Sequence, residues 1–332
     1  MAPRGERPAL IPLTPPLSLG LVLTLALTSC GLDAADDEEF PSRQIEVIVP
    51  WAAGGGTDQT VRQLATAAEE PCGVDIIVSN QEGGGSAIGH QAVADAEPDG
   101  YTLGAATIEV SILNHLGGAE VTPDDLQGVM KFSANPAVLS VANDSEFQSV
   151  GDLVDAMESD DTVRIATNGT GGIWDIAAGG LEVEAGAEFT ERVPFDGGAD
   201  MIAAVMGGQV EAIAPSGAES VDHMDAGELR PLATMAEDRL ERLPDTPTLV
   251  EEGVDWTAAN WFGLVVPNDV DAERVAALNE CFAEAFEAEE FVDFMDTQGF
   301  VRDYLDAEQF EAFMDEEFEQ YADLIDTLYG ES

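Results

Sequence analysis

Val49-Pro50-Trp51-Ala52-Ala53-Gly54-Gly55-Gly56-Thr57-Asp58 joins two unlike neighbours. Upstream, residues 45–49 form an apolar run of strand length. Downstream, Val61, Leu64, Ala65 and Ala68 recur at helical spacing, which predicts a helix over 57–69 with Thr57 or Asp58 as its cap. Glycine between a strand and a helix lets a ligand come close to the backbone. The unpaired N–H groups and the positive dipole end of the helix then favour an anion. Tight turns without a ligand are the plainer alternative.

The same order recurs. Strands are predicted at 74–78, at 101–106 after the turn Pro98-Asp99-Gly100, at 137–142 and at 163–166. Ser149-Val150-Gly151-Asp152 fits a capping box at a helix start. A second glycine loop, Asn168-Gly169-Thr170-Gly171-Gly172, follows residue 166. A third pair, Gly197-Gly198, opens a helix over 199–206, and 210–214 reads as another strand. The alternation predicts an α/β protein with largely parallel sheets. Each half carries a strand, a glycine loop and a helix, so two lobes facing across a cleft would bring three helix N-termini together. Near the end, Phe310, Phe313, Met314, Phe318, Tyr321, Leu324, Ile325 and Leu328 share one face of an acidic helix, read as core.

The chain of 332 residues suffices for two domains. Arg4 and Arg7 precede an apolar stretch over 9–27, the pattern of an export signal. It ends at Leu27-Thr28-Ser29-Cys30-Gly31, which resembles a bacterial lipobox, with Cys30 as the lipidated residue; a plain signal with an incidental cysteine is the alternative. Residues 1–29 are read as signal and 30–42 as a flexible tether. No other apolar run reaches 18 residues, so membrane contact is expected through the lipid alone. Cys72 and Cys281 remain, compatible with a disulfide in an oxidising compartment or with two separate buried thiols.

The net charge is −54 with a single lysine, Lys131, which excludes nucleic acid and anionic membrane surfaces as partners. A saline habitat would suit such a surface, since at about 1 M salt the Debye length falls to roughly 3 Å. Enzyme signatures fail in turn. Gly54 and Gly56 are followed by Gln59, Gly83 and Gly85 by Ile88, and Gly169 and Gly171 by Trp174, so no dinucleotide fingerprint is present. The lone lysine follows Met130 and no phosphate loop exists. Ser86 and Ser216 lack a nucleophile-elbow spacing. His90, His115 and His223 form no metal pair and are read as surface or cap residues. No catalytic group, metal or cofactor is expected.

Six stretches in order resemble the substrate-binding receptors of tripartite tricarboxylate transporters, the Bug receptors. They are residues 45–58, with a Pro-aromatic-x-Ala-Gly-Gly-x-x-Asp-like loop; Val78-Ser79-Asn80-Gln81-Glu82-Gly83-Gly84-Gly85-Ser86-Ala87-Ile88-Gly89; and Glu97-Pro98-Asp99-Gly100-Tyr101-Thr102-Leu103. Then come Val193-Pro194-Phe195-Asp196-Gly197-Gly198-Ala199 with Gly207-Gly208-Gln209-Val210, Leu243-Pro244-Asp245-Thr246-Pro247-Thr248-Leu249 with Glu252-Gly253, and Trp261-Phe262-Gly263-Leu264.

The resemblance implies a two-lobed periplasmic-binding-protein fold of type II with the ligand cleft between lobes. Lobe one would be 43–133 plus 258–332, lobe two 134–257, with crossings near 132–136 and 256–262. It implies binding by Trp51, Ala53, Gly54, Gly55, Gly56, Thr57, Asp58 and Gly84 from lobe one. Lobe two would add Asn168, Gly169, Thr170, Gly171, Gly172, Trp174, Phe195, Gly197, Gly198, Ala199 and Asp200. Trp51, Trp174 and Phe195 are expected as walls, with Trp174 as core the alternative, and Asp58 would orient water or cap rather than touch the anion. The implied function is a monomeric, lipid-anchored extracytoplasmic receptor without enzymatic activity. It would capture a di- or tricarboxylate, an acidic amino acid or an aromatic carboxylate and deliver it to integral-membrane permease subunits. Signalling to a membrane sensor kinase, or an enzyme on this scaffold, are the rival readings. Three departures stand out: Asp196 where the family commonly has a basic residue, the glycine-rich 168–172, and Glu70-Pro71-Cys72-Gly73, which supports a bridge to Cys281.

Overall fold

Two sheets organise the chain, and the chain passes between them by paired extended segments. The structure, a computed structural model, describes residues 40–159 and 162–330. β1 (Ile45–Val49) leads to α1 (Gly56–Cys72), β2 (Ile76–Asn80), α2 (Ala87–Ala94), β3 (Thr102–Thr107), the single turn α3 (Glu109–Ile112) and the long β4 (Leu126–Pro136). Then follow β5 (Val138–Ala142), α4 (Val150–Met157), β6 (Arg164–Thr167), α5 (Ile173–Ala185), β7 (Glu191–Pro194), α6 (Gly198–Met206), β8 (Ala212–Ile213), α7 (Gly217–Asp225) and β9 (Leu229–Thr234). The chain closes with β10 (Ala259–Pro267), α8 (Ala272–Phe286), α9 (Glu289–Gln298), β11 (Arg302–Leu305) and α10 (Ala307–Tyr329).

The first sheet has the order β11-β4-β10-β3-β1-β2 and the second β7-β6-β8-β5-β9. Only β1 with β2 and β3, and β6 with β7 and β8, pair in parallel. The sheets are therefore mixed, which corrects the expectation of largely parallel ones. The antiparallel pairs follow from the passages. β4 leaves the first sheet at Pro136 and β5 begins the second at Val138, while β10 returns beside β4 with Ala259 opposite Pro136. The Ala137 N–H donates to the Ala258 carbonyl at 2.9 Å, so the two passages run side by side. Two adjacent extended segments between rigid sheets form the geometry of a hinge. This is the two-lobed fold of type II binding proteins.

One apolar cluster runs through both sheets, from Ile48 and Val265 of the first to Leu139 and Ile165 of the second, and a further one belongs to the first sheet. In the latter, Val47 and Val49 pack with Val61 and Leu64 of α1 and Leu278 and Phe282 of α8. α1 ends at Gly73 in the left-handed conformation (φ 71°), three residues later than expected, and carries Cys72 in its last turn. A disulfide joins Cys72 to Cys281 of α8, a cross-link worth typically about 2–4 kcal/mol. Phe40, placed in the tether by sequence, is packed: it stacks edge-on to Tyr101, and Arg43, the first residue of lobe one, lies over the same ring. β8 is shorter than the expected 210–214, because Glu211 turns to pair with Arg164 at 2.8 Å. At α4 the capping box is half made: Ser149 accepts from the Asp152 N–H, but Asp152 reaches back to the Gln148 N–H.

α10 carries the apolar face read from the sequence. Phe310, Met314, Tyr321, Leu324 and Ile325 are buried, and Phe310 and Phe313 meet the Trp261 indole edge-on, each at 5.5 Å. The Trp261 Nε1–H donates to Glu317 at 3.0 Å, tying α10 to the returning strand β10. The far end of α10 reaches the second sheet's side, where the Tyr329 hydroxyl donates to Asp175 of α5. Burial lifts the Glu317 carboxyl from 4.5 to about 7, against the Trp261 N–H and the Lys131 charge, which pull it down. A carboxyl raised on folding contributes fully below its unfolded value, and that contribution is lost as pH rises from about 4.5 to about 7. Glu317→Gln should remove this slope, so the variant is expected to melt higher than wild type at pH 8 and equally at pH 4.5. Melting curves across that range check it.

Candidate functional site

The glycine loops all leave the carboxyl ends of parallel strands: 50–55 after β1, 81–86 after β2, 168–172 after β6 and 195–197 after β7. In α/β sheets that edge is where ligands bind. Neighbouring segments of the two lobes come together beside these loops. A side chain on Gly171 would collide with Leu116 from the segment after β3, and the Cα of Ala218 on α7 lies 3.7 Å from where a Cβ on Gly299 would stand.

The first loop is held by one buried carboxylate. Gly55, not Thr57 or Asp58, is the N-cap of α1, and no side chain caps the helix. Asp58, only 2% exposed, turns back instead and accepts the Gly54 N–H at 2.7 Å. Gly54 sits at φ 85°, a conformation that glycine adopts without strain. Arg62, one turn on, donates Nε to both Asp58 oxygens at 2.9 and 3.0 Å, and Asn80 donates at 2.8 Å. Asn80 also donates to the Trp51 carbonyl at 2.9 Å, which pins the loop's first half to β2. Burial alone would raise the Asp58 carboxyl, but the bonds from Arg62, Gly54 and Asn80 outweigh it and hold the group below its ordinary value. The N–H groups of the first turn, at Gly56, Thr57 and Asp58, have no intrahelical partner.

The second lobe repeats the device with a residue that sequence reading missed. Asp175 of α5 accepts the Gly171 N–H at 3.1 Å, and Gly171 sits at φ 77°. Arg192 lies 3.5 Å from the Asp175 carboxylate, and Tyr329 donates to it. Gly54-Gly55-x-x-Asp58 and Gly171-Gly172-x-x-Asp175 are one local motif used twice, and that repeat was the available signal. The α5 end is not equivalent to the α1 end, however. Asn168 Oδ1 accepts the N–H groups of Trp174 and Asp175 at 3.0 and 3.3 Å, so these donors are already taken. Asn168 is therefore a cap. Trp174 is 5% exposed and packs in the second lobe's core, so it is no wall of the gap.

The α6 end stays uncapped by any side chain, with Gly197 as N-cap. A Cβ placed on Gly54, Gly169 or Gly197 would meet nothing within 4 Å, and one on Gly55 would meet only the Ala52 carbonyl at 3.4 Å. A Cβ on Gly198 would collide with the Glu219 carboxylate. Ala53, Gly84, Thr170, Ala199 and Asp200 are exposed, while Thr57 is buried and Phe195 is half-buried. The structure thus exposes residues 52–56 before α1, and Asp196, Ala199 and Asp200 around the start of α6, while Thr57, Asp58 and Gly198 are buried. It assigns Asn168, Gly172 and Trp174 to shaping α5.

Among the described residues, every lysine and arginine is committed elsewhere. Arg43 pairs with Asp99, Arg62 with Asp58, Lys131 with Asp303, Arg164 with Glu211 and Arg192 with Asp175 and Glu182. Arg239, Arg242 and Arg302 hold Glu251, Asp225 and Glu287, while Arg230 and Arg274 donate to backbone carbonyls. The histidines are engaged elsewhere as well. His90, expected at the surface, is 1% exposed, with Nδ1 3.3 Å from Ser86 Oγ, and its burial lowers its pKa to about 4. His115 stacks on Phe318 and His223 pairs with Glu228.

A two-lobed α/β protein with open, uncapped helix ends at the facing strand edges is built as a solute-binding receptor. The model of the tripartite tricarboxylate transporter family receptor matches residues 60–329, and the chain belongs to that family. It is 26% identical to the BugT protein of Bordetella pertussis over 311 residues, 92% of this chain and 95% of that one. Its fold matches a TctC solute-binding protein from Polaromonas, solved without ligand, at a TM-score of 0.82 and 31% identity, covering 87% of this chain and all of that one. MatC from Rhodopseudomonas palustris, solved with bound malate, matches at 0.69 and 23% identity, covering 86% of this chain and all of that one. The protein is a solute-binding receptor and not an enzyme.

Asp58→Asn keeps the side-chain size but removes the charge that holds Arg62. The variant is expected to stay folded, to melt a few degrees lower, and to lose at least tenfold in solute affinity as the loop loosens. Calorimetric titration with a bound solute, beside a melting curve, checks both.

Proposed function

We propose that the receptor captures a small solute with at least two carboxylates outside the cytoplasm and hands it to a membrane permease of the tripartite type. The N-terminal turn of α1, residues 54–58, would hold one carboxylate and that of α6, residues 197–200, the other. The observation that carries this reading is the commitment elsewhere of every basic side chain among the described residues, while these two helix ends keep unpaired N–H groups. Backbone donors and the helix dipole attract an anion locally at no cost in cations. The same feature suits a chain of net charge −54. Closure would swing the sheets about the paired passages at Ala137 and Ala258. MatC, a structural neighbour, holds malate, a dicarboxylate, which agrees with this class.

The anchor belongs to the same reading. Cys30, which lies outside the described residues, would carry the lipid that tethers the receptor to the outer face of the membrane. No helix among the described residues is long and apolar enough to cross one.

The test is a melting-temperature screen of the mature chain against di- and tricarboxylates, sugars and metal ions at low and high salt, with Gly55→Val beside it. At 100 times its dissociation constant, a solute should stabilise the protein by about 2.7 kcal/mol, which is several degrees. Gly55 has an ordinary extended backbone (φ −71°, ψ 168°), so valine there should leave the unliganded melting point unchanged and abolish the shift by blocking the approach. Shifts by sugars or metals alone, or an undiminished shift in the variant, would contradict the reading.

A further inference from the structure

An aromatic ring outside the glycine loops stands beside the start of α1. Phe300 follows α9, and its Cζ lies 3.2 Å from where a Cβ on Gly56 would stand. Gly56 is the first residue of α1 and is exposed, and the ring itself is only half-buried. Two aromatic neighbours hold it: Phe294 of α9 is stacked on it at 6.5 Å and Phe262 of β10 meets it edge-on at 6.2 Å. The backbone after it is fixed to the crossing strand β4. There the Val301 N–H donates to Asn135 Oδ1 at 3.0 Å, and the Val301 carbonyl accepts the Ser133 hydroxyl at 2.9 Å.

The residue before the ring faces the other lobe. Gly299 is left-handed at φ 75°, and the Cα of Ala218 on α7 lies 3.7 Å from where its Cβ would stand. Glu219, the next residue of α7, fills the space that a Cβ on Gly198 would need, and Gly198 opens α6. A run of close neighbours therefore leads from the first residue of α1, through Phe300 and α7, to the first residue of α6. These are the two helix ends to which the solute's carboxylates are assigned above. Apolar surface between them suits the carbon skeleton of a solute, because a charged group is costly to bury against it.

We propose that Phe300 sets the length of solute that the receptor accepts, its ring forming the floor against the carbon atoms next to the carboxylate held at α1. The inference rests on the carboxylate reading above and adds the group that measures the skeleton. Backbone N–H groups bind a carboxylate alike whatever chain it ends, so they do not discriminate length. A rigid apolar wall does, by about 10–200-fold per methylene. The ring also keeps water from the Gly56 N–H, which strengthens a hydrogen bond formed there.

The test is calorimetric titration of the mature chain with succinate, glutarate, adipate and pimelate, which differ only in methylene number. Wild type is expected to prefer one of the shorter acids. Phe300→Ala opens the floor, so the preference should move longer by at least one methylene. The affinity of the longer acid relative to wild type's preferred one should rise about tenfold. Phe300→Leu keeps an apolar side chain against Phe262 and Phe294, and should move that ratio the same way by less. It carries the test if the alanine variant does not fold. A ring that merely supported the fold would, when removed, weaken all four acids equally. That result, or a wild-type preference for the longest acid, would overturn the inference while leaving the carboxylate receptor intact. Failure of all four acids would overturn the inference as well, and binding of a neutral solute in their place would overturn the carboxylate reading with it.

Discussion

The site depends on a hydrogen bond from a left-handed glycine N–H to an aspartate four residues later. In the first lobe Gly54 gives its N–H to Asp58, and in the second Gly171 gives its N–H to Asp175. Each aspartate sits in the first turn of a helix and is held by an arginine, Arg62 or Arg192. The bond closes each loop into a tight bend; at α1 the first-turn N–H groups then have no intrahelical partner, whereas at α5 Asn168 takes them. Both carboxylates are buried and satisfied from within, so in the proposed site their charge would shape the loop without meeting the ligand.

The scarcity of cations sets the rest. With one lysine and few arginines, the described part of the chain holds two arginines on the loop carboxylates and the others on local pairs or backbone carbonyls. Among the described residues no basic side chain is left over for a dianion. In the proposed site peptide N–H groups would fill that role, because their dipoles are fixed by the helix and act over a few ångströms, a range that salt screens little. The long-range field of an acidic surface, by contrast, fades beyond roughly 3 Å at about 1 M salt. Capture by backbone donors is thus compatible with a strongly acidic exterior.

Much of this was legible in the residues. The period of Val61, Leu64, Ala65 and Ala68 marked α1, the glycine clusters marked the strand-to-helix turns, and the stripe from Phe310 to Leu328 marked a core helix. The sheet pairing was not legible, since a strand's sequence does not record which way its neighbour runs; that is set by β4 and β10 passing between lobes together. The roles of Asn168 and Trp174 were hidden for a related reason. Asn168 caps α5 from five residues before the helix begins, and Trp174 turns inward on a helix whose burial is nearly complete. Asp175 could have been found from its repeat of the Asp58 motif.

The central claim is that two helix ends, and no basic side chain, hold the solute. Selective ¹⁵N labelling of glycine and arginine reads it directly, since Gly56 and Gly198 are the first residues of α1 and α6. On saturation with a dicarboxylate that stabilises the protein, both amide protons should move downfield as they take up carboxylate oxygens, while the arginine Nε signals stay in place. Unmoved glycine amides with shifted arginine signals would contradict the account.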